Sequence, residues 1–213
     1  MKSTLFNMVA VLFTITLIAS AGVGAVNMIT ENAIAEANRQ ATVAAVANVL
    51  PAFEKSEMST MTIDEMPINI YTAVDGSGAV VGYAVETMTM SGFSGKVRMM
   101  VGFDAEGTIL NVNVLEQSET PGLGSKMCDE GNVLLASVQG KNPANLKLKV
   151  KKDGGDIDAL TAATISSRAY ADAVARAYEA FKVASGAQES TDGVSSATAT
   201  HEGHDAQEGG DNE

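Results

Sequence analysis

A chain of 213 residues, 46% of them hydrophobic, is long enough to bury one core and to carry accessory segments besides. Its formal net charge of -12, from 14 Lys and Arg against 26 Asp and Glu, argues against a nucleic-acid partner, because phosphate backbones are bound by clustered cations. Cys128 is the single cysteine, which leaves no thiol set for an intramolecular disulfide, a zinc knuckle or an iron–sulfur cluster, so redox chemistry would have to come from a bound cofactor.

Residues 4–29 contain no charged side chain and are dense in Leu, Ile, Val, Phe, Ala and Met. About 20 apolar residues suffice to cross a bilayer. A cleaved secretory signal is the competing reading, with Lys2 as its basic start and Ala19-Ser20-Ala21 as a small-residue cleavage site. The apolar run continues from Gly22 through Ile29, however, past the point where a mature chain would begin, so the expectation is a retained single span. No Cys follows the run, and a lipid anchor is not expected. Lys2 precedes the span while Glu31 and Glu36 follow it, and the positive-inside rule then places the bulk of the chain outside the cytoplasm.

Residues 33–50 are rich in alanine and closed by Pro51, which reads as a helix with Ile34, Val43, Val46, Ala47 and Leu50 on one face. Residues 54–67 are polar and Met-rich without a clear period and read as a surface connection. Strand-like residues 70–74 and 80–89 flank Asp75-Gly76-Ser77-Gly78, and residues 97–103 and 109–115 flank Asp104-Ala105-Glu106-Gly107, a pair of hairpin signals. Residues 145–150, with Leu146, Leu148 and Val150 alternating against lysines, predict a further strand. A helix is expected from Ser166 or Ser167, with Ala169, Tyr170, Ala173, Val174, Ala177, Tyr178 and Phe181 on its buried face. Strands followed by a segregated helix give an α+β domain built on an antiparallel sheet, behind a single N-terminal transmembrane helix. The expected division is an anchor over 1–30, a helix and connection over 31–67, the sheet-bearing domain over 68–184 and a disordered acidic tail over 185–213, which holds seven Asp and Glu after Gly186 and no Lys or Arg.

Three stretches of small residues stand out: Gly92-Phe93-Ser94-Gly95, then Glu119-Thr120-Pro121-Gly122-Leu123-Gly124, then Asp158-Ala159-Leu160-Thr161-Ala162-Ala163-Thr164-Ile165-Ser166. Each has an ordinary reading. The first is a strand connection, the second a Pro-Gly turn, and the hydroxyls of the third cap the coming helix. Cys128 reads as a half-buried small apolar residue, Glu119, Lys96 and Lys126 as surface charges, and His201 and His204 as solvated tail residues, so no metal is assigned.

The third stretch is similar to the flavin-attachment motif of FMN-binding domains, Asp-x-x-(Ser/Thr)-(Gly/Ala)-Ala-Thr-x-(Ser/Thr), in which the last Thr carries FMN through a phosphoester bond. Ala162 stands where Gly is more usual. All three stretches, in this order behind one membrane helix, resemble the G subunit of the Rnf electron-transport complex and, more distantly, the C subunit of the sodium-translocating NADH:quinone reductase. The resemblance implies Thr164 as the covalent FMN anchor, Thr161, Ala162 and Ala163 as the loop around the phosphate, and Glu119, Thr120, Pro121, Gly122, Leu123 and Gly124 as a loop beside the flavin. It further implies an inner-membrane electron carrier that lacks complete activity alone, partnered by other membrane subunits of an ion-translocating complex linking ferredoxin and NAD. A Thr hydroxyl is a poor nucleophile with nothing nearby to activate it, so a separate flavin transferase is expected to make the bond. The alternatives are the quinone-reductase subunit and an anchored binding or scaffold protein that is not flavinylated.

Overall fold

Helix α1 runs unbroken from Leu5 to Val49, so the apolar run and the alanine-rich segment that follows it are one helix. It ends against Pro51, whose ring disfavours helical geometry in the residue before it. The computed structural model describes residues 5–186 and divides into two units, Met1–Val43 and the chain from Ala44 onward. In the first unit the large apolar side chains point outward in every direction, among them Phe6, Leu12, Phe13, Ile18, Val26 and Ile29. A helix apolar all round and longer than a bilayer core is the shape of a membrane span. Its threonine hydroxyls are turned onto their own backbone: Thr14 donates to the Ala10 carbonyl and Thr30 to that of Val26. Lys2, on which the orientation rests, and the acidic tail with His201 and His204 lie outside the described residues.

The second unit is built on five antiparallel strands in sequential order: β1 (Lys55–Ile63), β2 (Met66–Val74), β3 (Val80–Gly92), β4 (Gly95–Phe103) and β5 (Ile109–Gln117). The two hairpins expected from the sequence are β2–β3 and β4–β5. Strand β1 replaces the connection expected over 54–67, and the sheet therefore starts upstream of residue 68. It pairs with β2 around Asp64 and Glu65, both in the left-handed region. As an edge strand it keeps polar residues on its open side, which erases the apolar period that marks a strand.

After β5 come a 3-10 turn over Gly124–Cys128, the short helix α2 (Val133–Val138), and finally α3 (Thr164–Ala184). The strand expected over 145–150 does not form. Leu146, Leu148 and Val150 do turn inward, but their backbone meets only the loop beside it: Val150 bridges Ile157, and the Lys147 amide donates to Asp156 Oδ2 at 2.7 Å.

The sheet has two covered faces. Ile68, Ile70, Val85, Val97, Met99, Val101 and Phe103 face α3, in one core with Tyr170, Val174 and Phe181. On the other face Ala73, Ala84 and Met100 pack with Ala45, Val46, Val49 and Leu50 from the end of α1. Gly102 allows that approach, since a Cβ there would collide with the Val49 carbonyl.

Helix α3 begins at Thr164, two residues earlier than Ser166. Its N-cap is Ala163, with no side-chain cap. The turn leading into it is closed by the Ala163 amide on the Leu160 carbonyl at 3.1 Å and holds Ala162 at φ 60°. A turn with positive φ at its third position favours glycine, which accounts physically for the Gly usual there in similar motifs.

Two expectations follow. Gly102→Val should cost about 1–3 kcal/mol by overpacking and free the last turns of α1 for proteolysis near residues 44–50; unchanged melting and cleavage would contradict the contact. Ala162→Gly removes a left-handed penalty of about 1–2 kcal/mol and adds back about 0.5–1 kcal/mol of backbone entropy. The thermal midpoint should therefore rise by roughly 2 °C, and a fall would show that Ala162 is unstrained.

Candidate functional site

The direction of α3 is fixed by what it touches along β3. Phe181, near its C-terminal end, packs edge-on to Tyr83 with centroids 5.3 Å apart. Arg176 donates to the Met88 carbonyl at 2.9 Å, and Asp172 accepts from the Thr89 hydroxyl at 2.6 Å. The helix thus runs antiparallel to β3 and brings its N-terminus to the β3–β4 tip.

There the three small-residue stretches meet. Their joint is Glu119, only 4% exposed, which corrects its reading as a surface carboxylate. One carboxylate oxygen accepts the Ser94 amide at 3.0 Å, and the other accepts the Ser166 hydroxyl in a short hydrogen bond. The Glu119 amide donates to Gln117 Oε1 at 2.7 Å. Neither serine caps α3 as expected. Ser166 reaches sideways to Glu119, while Ser167 accepts the Leu160 amide at 2.9 Å and donates to the Ala163 carbonyl at 2.8 Å.

The stretch from Thr120 to Gly124 is a second turn of the kind that precedes α3. The Leu123 amide donates to the Thr120 carbonyl at 3.1 Å, with Pro121 at the second position and Gly122 at φ 75° in the third. Thr120, Pro121, Gly122 and Leu123 are exposed, Gly124 is buried beneath them, Thr161 and Ala162 are exposed, Ala163 is buried and Thr164 is half-buried at the first helical position. The proposed flavin-side residues therefore surround one end of α3. Each stretch also presents one large exposed hydrophobic side chain: Phe93, Leu123 and Ile165. Sequence reasoning passes over Phe93 and Ile165 as contacts, although the isolated aromatic between glycines at 92 and 95 is an available signal.

Two of the local cations are engaged elsewhere. Lys96 pairs with Glu116 at 3.0 Å, and Arg168 grips Asp153 through two hydrogen bonds of 2.7 and 2.8 Å, which holds the Asp153 carboxyl below its ordinary range. Lys126 is exposed, as is Cys128, contrary to the half-buried expectation for the cysteine. Besides Lys126, the first turn of α3 is open to an anion: no side chain caps its amides, and its dipole favours negative charge. A phosphate on the Thr164 hydroxyl would lie at that turn, with apolar Phe93, Leu123 and Ile165 available to a planar ring. The residues present fit FMN.

Residues 92–179 match the family described as FMN-binding domain. Over 173 residues the chain is 34% identical to the G subunit of the ion-translocating oxidoreductase complex of Shewanella amazonensis, an alignment covering 75% of this chain and 80% of that protein. It is 30% identical over 176 residues to the G subunit of the Na(+)-translocating ferredoxin:NAD(+) oxidoreductase complex of Acetobacterium woodii, covering 77% and 85%. Among solved structures, NqrC of Shewanella oneidensis matches with a TM-score of 0.37 at 22% identity, covering 62% of this chain and 65% of that one. With an FMN-binding domain, a five-stranded antiparallel sheet and an N-terminal helix long and apolar enough to span a membrane, the chain belongs to the family of G subunits of ion-translocating oxidoreductase complexes.

Proposed function

We propose that this chain is the membrane-anchored electron-transfer subunit of an Rnf-type complex that links ferredoxin and NAD, carrying FMN through a phosphoester on Thr164. The observation that carries the reading is the position of Thr164: first residue of an uncapped helix, directly after a tight turn of small residues. Relatives named as G subunits of such complexes support the assignment to the complex. The chain serves as a relay and depends on the other membrane subunits for a complete reaction. Its anchor, over residues 1–30, includes the apolar part of α1 from Leu5 and is set in a bacterial inner membrane, and its FMN-binding domain lies on the periplasmic face. With β1 included, that domain starts at Lys55.

The roles of the residues follow from their places. Thr164 supplies the hydroxyl oxygen. The first-turn amides of α3 and its dipole stabilise the phosphate charge, and the turn over 160–163 sets the approach of the chain to it. Gly122 keeps the Thr120–Leu123 turn tight, and Phe93, Leu123 and Ile165 exclude water from the ring. FMN, when bound, supplies one-electron chemistry that no side chain here offers. Glu119 is already committed to Ser94 and Ser166, so a flavin transferase has to activate Thr164. In that reaction the Thr164 oxygen bonds to the flavin-side phosphorus of FAD, the pyrophosphate P–O bond breaks, AMP leaves and the hydroxyl proton passes to the transferase.

Thr164→Val keeps the branched shape and removes the oxygen. Coexpressed with a flavin transferase, it should lose all flavin fluorescence in a denaturing gel, whereas Thr161→Val should keep it. Fluorescence persisting in the first variant, with the phosphoflavin mapped to Ser166 or another hydroxyl, would contradict the assignment.

A further inference from the structure

Glu119 presents a physical problem that the flavin site alone does not explain. A carboxylate taken out of water is costly unless its charge is matched or its oxygens are fully hydrogen-bonded. Neither Lys96 nor Arg168 reaches it, since each is paired with another acid. Its compensation is local: the Ser94 amide on one oxygen, the Ser166 hydroxyl on the other, and the positive end of α3, in whose first turn Ser166 lies.

The glycines around it are shaped to this carboxylate. A Cβ on Gly92 would strike the Gly95 carbonyl and come within 2.7 Å of Glu119 Oε1, and one on Gly124 would come within 2.8 Å of Oε2 and strike the Ser166 hydroxyl. Gly122, in contrast, faces open space and is needed for its positive φ. Gly124, and Gly92 together with its approach to the Gly95 carbonyl, therefore leave room for Glu119, although the sequence offers both as room for a cofactor. Ser166 sits two residues after Thr164 in the same helical turn, so whatever fixes Ser166 fixes Thr164.

We propose that Glu119 is a positioning residue for the flavin: acting through Ser94 and Ser166, its buried carboxylate locks the β3–β4 tip to the Thr164-bearing turn of α3. The proposal rests on the reading of Thr164 as the attachment point. It assigns Glu119 the task of holding Phe93 and Thr164 at one separation, with both carboxylate oxygens spent inside the protein. A displacement of about 1 Å at a reacting group is enough to cost about a hundredfold in rate, so the lock should govern how fast the transferase loads the chain.

The test uses the full chain, coexpressed or incubated with a flavin transferase and FAD, and reads the initial rate of covalent loading, the visible flavin spectrum and the thermal midpoint. Glu119→Ala should load at least roughly ten-fold more slowly than wild type. Glu119→Gln keeps an acceptor for the Ser94 amide and gains a donor for the Ser166 oxygen, so loading should return towards wild type. Gly102→Val overpacks the opposite face of the sheet against the Val49 carbonyl, away from α3 and its first turn. It should lower the thermal midpoint and leave loading unchanged. Ser166→Ala removes one oxygen and should slow loading even where Glu119→Ala does not accumulate. Wild-type loading rates and spectra in both Glu119→Ala and Ser166→Ala would overturn the proposal. So would a loss in Gly102→Val equal to that in Glu119→Ala at matched stability, because that is the mark of a general folding defect. A wild-type chain that takes up no flavin, or takes it at another residue, overturns the Thr164 reading itself and the lock with it.

Discussion

The packing of α3 across β2, β3 and β4 is the constraint on which the site depends. Apolar burial supplies the attraction but no register, since it is non-directional. Tyr170, Val174 and Phe181 would still be buried if the helix slid along the sheet. The polar contacts prevent the slide: Arg176 on the Met88 carbonyl, Asp172 on the Thr89 hydroxyl and Ser166 on Glu119 are spread along the helix and each tolerates one alignment. A shift by one turn, about 5.4 Å, would break all three together. Buried polar groups here specify a single arrangement, a use attested for such groups elsewhere. The first turn of α3 consequently arrives at the β3–β4 tip and at the Thr120–Leu123 turn.

That arrival explains why an acidic chain can serve a phosphate-bearing cofactor. Arg168 and Lys96 are spent on Asp153 and Glu116, and the main anion-holding element is the bare helix end itself. Backbone amides and a dipole hold a phosphate less tightly than a cluster of arginines would. The proposed covalent tether at Thr164 makes retention of the flavin independent of that affinity. The same arrangement leaves the three apolar side chains at the rim free to meet a ring and, beyond it, a partner protein of the complex.

The parts of the fold that can be read from the sequence are those determined by neighbours along the chain. Asp75 to Gly78 and Asp104 to Gly107 announce their hairpins because a turn of four residues contains its own chemistry. The buried face of α3 is legible because seven residues repeat at helical spacing. Strand β1 is not, because its open edge selects polar residues and hides the period. The alternation over 145–150 is real, yet the backbone finds its partner in the adjacent loop, and alternation does not say what a backbone will pair with. The start of α3 is expected too late because Ser166 and Ser167 look like caps, whereas their hydroxyls point to Glu119 and to the Leu160–Ala163 turn. The burial of Glu119 is illegible for the same reason: its partners lie 25 and 47 residues away. The attachment motif can be recognised because it is contiguous. The geometry that supports it cannot.

The central claim is that one FMN is joined to one residue of this chain by a phosphoester. Intact-mass measurement of the full chain, produced with and without a flavin transferase, tests it most directly. The account predicts a single added mass equal to FMN less one water, present only with the transferase and resistant to denaturation, and fragmentation that localises it to Thr164. An unchanged mass with the transferase present, or flavin released on unfolding, would contradict it.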